Sequence, residues 1–285
     1  MNPIDFKHFL RELSETSEEQ FIDPRDFHWP ASVERNAWYF TPELISLYGT
    51  EVWESLDESA RQRLSFFEAV NFFSLNIHGE RFLISEISKR LYEDDNVELS
   101  RYLTHFVDEE ARHMLYFSGF CERYARKVYP DRSVHGSPSG DDEIDTFLLF
   151  ARINVFEEVV DHYNRIMASD LRLAPVVREI NRIHHVEELR HLSFGRRFLE
   201  HCLGQHIEDW DSDRRDALRE HVSDYLQLVW KQYYNPDVYR DAGIVAPFDA
   251  WRAHSDAAPA RDHRERVGRR RLCWLRKLDL LEAAQ

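Results

Sequence analysis

Apolar residues recur along this chain at intervals of three and four, the spacing that gives an α-helix one buried face. The longest such pattern covers about 57–93. Phe66, Phe73, Ile77, Ile84 and Ile87 form its stripe, and Asp57-Glu58-Ser59 puts acidic residues in its first turn. A second helix is predicted over about 96–129, stopped by Pro130. The stretch 130–142, PDRSVHGSPSGDD, crowds Pro, Gly, Ser and Asp and carries no apolar period, so it reads as a linker. A third helix is predicted over about 143–169. The fourth, about 173–203, has Pro175 in its first turn, where a missing N–H costs little, and Gly204 past its end. A fifth covers about 210–234. Residues 1–56 hold Pro3, Pro24, Pro30 and Pro42 among Phe27, Trp29, Trp38, Tyr39 and Phe40, and read as a wrapping segment with short helices. After helix five the chain reads as irregular until 247–255 and a basic helix near 262–283.

The expected fold is all-α, with 1–285 as a single domain. Its bundle core covers about 57–203, with 1–56 and 204–285 as wrapping segments. Two long hairpins joined by one long crossover is the connectivity of ferritin-like bundles. Composition agrees. Only 9 Gly and 10 Pro in 285 residues is too few for the turns of a sheet-rich domain. An aromatic share of 13% excludes general disorder. The net charge of −15 argues against nucleic-acid binding. One basic run, with eight Arg or Lys between Arg261 and Lys277, reads as a helix face docking on the acidic body. Cys121, Cys202 and Cys273 are widely spaced, with no CxxC, and the charged N-terminus lacks an apolar signal segment. No window is long and apolar enough to span a membrane. A cytoplasmic protein is expected.

The chemistry lies in a repeat. Glu109-Glu110-Ala111-Arg112-His113-Met114 and Glu187-Glu188-Leu189-Arg190-His191-Leu192 both read E-E-x-R-H-apolar, 78 positions apart. Each contains Glu-x-x-His, which places both side chains on one helix face. Glu80 lies 30 residues before Glu110, and Glu157 lies 31 before Glu188. An antiparallel partner helix returns such a residue to the same level. The set is one Glu from each of two helices and one Glu-x-x-His from each of the other two, as in di-iron and di-manganese carboxylate bundles. Each of these ligands lies in phase with apolar neighbours, which is costly for an ionisable group unless it is paired or metal-bound. A strict repeat would match Glu80 to Glu158. Helix phase instead selects Glu157, which sits with Ile153, Phe156 and Val160, whereas Glu158 sits with Asn154, Asp161 and His162 on the polar side. Glu109 and Glu187 have no histidine at i+3 and read as supporting or surface residues. Four carboxylates balance two divalent cations, and mixed carboxylate and imidazole donors suit Fe or Mn.

His184 breaks the symmetry. It stands four residues before Glu188 and seven before His191, on one stripe, where the other half has Phe106. Glu80, Glu110-x-x-His113, Glu157 and His184-x-x-x-Glu188-x-x-His191 resemble the seven-ligand site of the p-aminobenzoate N-oxygenase (AurF-like) di-iron family. The resemblance covers roughly residues 57–245, including Asn235-Pro236-Asp237-Val238-Tyr239. It implies two Fe ions, O2 as co-substrate activated as a peroxo species, and oxygen transfer to a small-molecule substrate. That substrate is expected to be an amine in natural-product biosynthesis. No catalytic residue beyond the ligands is expected. No GxGxxG fingerprint is present, so electrons must come from a reductase or other electron-transfer partner. Phe72, Phe73, Asn76, Phe117, Val160 and Asn164, one turn from the ligands, are expected to line the substrate pocket, and a homodimer is the expected assembly. Three alternatives remain: a di-iron oxygenase acting on C–H or C–C bonds, a ferritin-like iron-binding protein without substrate chemistry, and a bundle whose Glu and His form only ion pairs.

Overall fold

The computed structural model describes residues 3–92, 96–132, 140–206, 210, 212–244 and 254–281. Its helices are α1 (Pro3–Glu19), α2 (Glu51–Ser55), α3 (Glu58–Ser88), α4 (Val97–Phe120), α5 (Asp142–Ser169), α6 (Pro175–His206), α7 (Ser212–Gln232), α8 (Pro236–Asp241), α9 (Ala258–Arg271) and α10 (Cys273–Lys277). Among the described residues no strand forms; one isolated bridge joins Trp38 to Leu173. Most of the linker at 130–142 and of the expected element at 247–255 lies outside the described residues.

Local chemistry sets the helix starts. Asp57 accepts from the Ala60 N–H at 2.7 Å, Asn96 from Leu99 and Asp141 from Glu143 and Ile144, each satisfying donors that a first turn leaves open. The second helix ends earlier than Pro130 suggested. After Phe120 it widens into a π-helical turn, Cys121–Ala125, and Arg126 at φ 53 stops it. The N-terminal segment is more regular than its prolines indicated. Pro3 opens the 17-residue α1, where proline is tolerated, and Phe6, Leu10 and Leu13 give it a buried stripe. The basic run forms two helices, α9 and α10, parted at Leu272. It docks as expected: Arg271 Nη1 lies 2.9 Å from the buried Asp161 of α5.

Helices α3 with α4, and α5 with α6, form the two hairpins of the core. Two apolar clusters fill the bundle. One gathers Phe72, Phe73, Phe117, Phe120, Tyr163 and Ile183, and the other Leu83, Phe106, Phe150, Val155, Phe194 and Phe198. On α3, α4 and α6 the predicted ligands fall between the two clusters; on α5, Glu157 falls at their junction. Close helix approach at this level depends on two glycines. A Cβ on Gly79 would lie 2.5 Å from the Phe156 ring, and one on Gly195 would lie 2.7 Å from the Asn154 amide. Each glycine costs a helix interior about 1 kcal/mol against alanine and lets α5 seat against α3 and α6.

Candidate metal centre

The structure brings Glu80, Glu110, His113, Glu157, His184, Glu188 and His191 to one level of the bundle. All seven are at most 2% exposed. Their donor atoms fall into three groups, each within 4.8 Å: Glu80, Glu110, His113 and His184; Glu110, Glu188 and His191; Glu157, His184 and Glu188. Glu110, His184 and Glu188 each belong to two groups and so tie the three together. His113 Nδ1 lies 3.3 Å from Glu110 and 3.5 Å from Glu188, and His191 Nδ1 lies 2.9 Å from Glu110 and 3.1 Å from Glu188. His184 turns the other nitrogen inward, with Nε2 3.1 Å from Glu188 and 3.4 Å from Glu80.

Glu109 and Glu187 are not surface residues. Each serves the opposite motif. His113 Nε2–H donates to Glu187 at 2.9 Å, and Arg112, from the same helix as His113, donates to Glu187 at 2.7 Å. In the mirror arrangement, His191 Nε2–H and Arg190 each donate to Glu109 at 2.7 Å. A donor bond at Nε2 leaves the Nδ1 lone pair facing inward and fixes the ring. His191 and Arg190 outweigh burial and hold Glu109 down at about 2; His113 and Arg112 likewise overcome burial to lower Glu187. Residues just past α1 cover the outer side. The Ile22 carbonyl accepts from Arg112 at 3.0 Å, and Phe21 lies under the same guanidinium. The sequence signal for this network was the doubled Glu and the Arg of the repeat.

Residues 5–278 match the P-aminobenzoate N-oxygenase AurF family. The chain belongs to this family. A search of curated proteins finds no match. Among solved structures, a variant of an R2-like ligand-binding oxidase with an aerobically reconstituted Mn/Fe cofactor is similar at 16% identity and a TM-score of 0.47. The alignment covers 90% of this chain and 93% of that one. Membership in the N-oxygenase family and the buried Glu/His cluster together support a dinuclear metal centre in an oxygen-using oxidoreductase.

The side chains of this family member fit such a centre chemically. Among the described residues, no hydrogen bond reaches either carboxylate oxygen of Glu80 or of Glu157. Burial first, and then the neighbouring carboxylates, drives both well above the ordinary carboxyl range. Burial also pushes Glu188 up, but His191 and His184 outweigh it and leave it well below that range. Burial and His184 depress His113, yet bonds to Glu110 and Glu187 raise it to about 9. Two divalent cations would neutralise four carboxylates and take the place of those protons. Glu158, the residue set aside on helix phase, pairs with Arg196. Its face is nonetheless not solvated: Asn154, Asp161 and His162 are buried with it, because α6 and α9 cover both sides of α5.

The six residues expected to line a pocket surround the centre as packed core. Phe73 stacks on Phe117 at 5.3 Å, Phe117 meets the His184 ring edge-on at 5.0 Å, and Phe72 stacks on Tyr163 at 5.7 Å. Val160 is fully buried among them. Asn76 donates to the Phe72 carbonyl at 2.7 Å. The Asn164 amide lies against His184 Nδ1. The amide nitrogen is the contacting atom, so its N–H donates to Nδ1 and fixes the ring. A cavity of about 750 Å³ opens elsewhere, between the 22–39 segment and α4 and α6. Its lining includes Tyr116, one turn from His113, and Ile183, beside His184. Among the described residues, no helix is long and apolar enough to cross a membrane.

Proposed function

We propose that this chain is a cytoplasmic di-iron oxygenase that uses O2 to oxidise the nitrogen of a small-molecule amine. Electrons come from a separate reductase or other electron-transfer partner. The observation that carries this reading is the seven-donor set itself, buried and closed by His184, whose Nε2 approaches both Glu80 and Glu188. When bound, two irons would supply the redox chemistry that activates O2. The chain's own residues prepare the place. Glu110 and Glu188 would help hold the ions, and Glu80 and Glu157 present oxygens that, among the described residues, accept no hydrogen bond. Glu187 and Glu109 hold the protons of His113 and His191 on Nε2. Burial of every ligand keeps bulk water out. The 750 Å³ cavity, lined by Tyr116 and Ile183, is the proposed approach for substrate.

The test is metal content and chemistry together. After anaerobic iron loading, elemental analysis should give two irons per chain, and supply of reductant and O2 should convert an arylamine to its N-oxygenated product. A stoichiometry near one, or tightly held zinc with no iron, would overturn the di-iron reading. Oxidation confined to carbon would favour action on C–H or C–C bonds. Sizing as a large cage, in place of a monomer or dimer, would favour iron storage.

A further inference from the structure

One buried acid takes no part in the metal centre. Glu68, on α3 twelve residues before Glu80, is 3% exposed. Its Oε1 accepts from the Ser46 N–H at 3.3 Å and from the Ser46 hydroxyl, which also lies 2.9 Å from the Tyr239 hydroxyl. Among the described residues no Lys, Arg or His forms an ion pair with it, which is unusual for a buried carboxyl. Glu68 lines a cavity of about 260 Å³ whose walls include the rings of Tyr163, Trp230, Tyr233 and Tyr234. Tyr163 and Tyr233 stack at 4.7 Å, and Trp230 lies 5.9 Å from Tyr233. His263 closes one side, its Nε2 3.0 Å from the Tyr163 hydroxyl. Glu43, Asp262 and Arg266 also line the cavity.

We propose that this cavity binds a small organic ammonium ion, with Glu68 as the counter-charge and the Trp230 and Tyr233 rings as cation-binding faces. Ring faces carry the negative end of the aromatic quadrupole, and their attraction for a cation grows when water is excluded. A carboxyl buried without a cation is the complementary half. Charge sets the class of guest. Glu43 is paired with Arg172, which leaves Glu68 and Asp262 against Arg266 in the lining, so an anionic guest meets repulsion at Glu68. Burial first, then Arg266 and Arg264, holds His263 down at about 4, so its ring adds no positive charge at neutral pH. Size sets the rest: the volume falls below the roughly 300 Å³ at which drug-sized sites begin. Binding here needs no metal, so it is separable from the oxygenase reading.

The test uses choline, which has no nitrogen lone pair to ligate a metal or be oxidised, against its uncharged isostere 3,3-dimethyl-1-butanol. Titration calorimetry on the full, metal-loaded chain at pH 8, where Glu68 is ionised, should show choline binding at least about tenfold more tightly. Glu68→Gln, which keeps an acceptor for Ser46, should erase that preference. Trp230→Leu should weaken choline without strengthening the alcohol. Thermal melting establishes that each variant is folded. Equal affinity for the two compounds, no binding of either by the wild type, or an unchanged preference in Glu68→Gln would overturn the proposal; the first two need no variant at all.

Discussion

Glu68→Gln makes a quantitative prediction about stability. Burial pushes this carboxyl from 4.5 up to about 7. Ser46, Tyr163, Tyr234 and Tyr239 surround it, none of them charged between pH 5 and 8. An acid whose folded value is raised binds its proton more tightly folded than unfolded. Its contribution is therefore intact below pH 4.5 and is lost as pH rises to about 7. At about 1.4 kcal/mol per pH unit, that loss reaches about 3 kcal/mol. Glutamine keeps the shape and the bond from Ser46 but cannot ionise. Urea unfolding of both proteins at pH 5 and pH 8 should show the variant gaining on the wild type by about 3 kcal/mol between them. In a chain of this size that corresponds to a melting gain of roughly 5–10 °C. Other titrating groups, including the metal ligands, are common to both proteins and cancel. A gap of the same size at both pH values would refute the reasoning and make Glu68 an ordinary hydrogen-bonded residue.

Glu109→Gln should weaken metal binding roughly 10- to 100-fold while the helical content stays. Glu187→Gln should match it, and competition with a chelator measures both. Gly195→Ala should destabilise by about 1–3 kcal/mol, because the new methyl meets Asn154 at 2.7 Å, and adding Asn154→Ala should recover most of it in denaturant melts. His184→Phe leaves six donors, so two metals per chain should remain. The manganese-loaded electron paramagnetic resonance spectrum should change and oxidation should fall at least about tenfold; an identical spectrum and rate would make His184 a core histidine only.

The helical bundle was legible because its information is local. Asp57 and Asp141 cap helices whose apolar stripes repeat every three to four residues, and Pro175 marks a start. The ligand positions were legible because a costly residue type recurred in register. What resisted reading depends on neighbours far away in sequence. Glu109 and Glu187 read equally as supporting or surface acids until α4 and α6 face each other and set each beside the other's histidine. The polar run Asn154, Glu158 and Asp161 reads as the polar side of its helix, since nothing nearby in sequence announces that Gly195 and Arg196 of α6 and Arg271 of α9 meet it. The aromatics near the ligands were the residues best placed to pack, and space opened instead where the irregular 22–39 segment crosses α4 and α6.

The exchange of Glu187 and Glu109 between the motifs has a consequence for assembly of the centre. Arg112 and His113 lie in the first hairpin and reach for an acid in the second; Arg190 and His191 do the reverse. A hairpin formed alone would lack the acid that binds its histidine at Nε2, and would hold a site with two carboxylates in place of four. Competence for metal therefore arrives as a single event, when the two halves dock. A change in either motif is therefore felt by the histidine of the other.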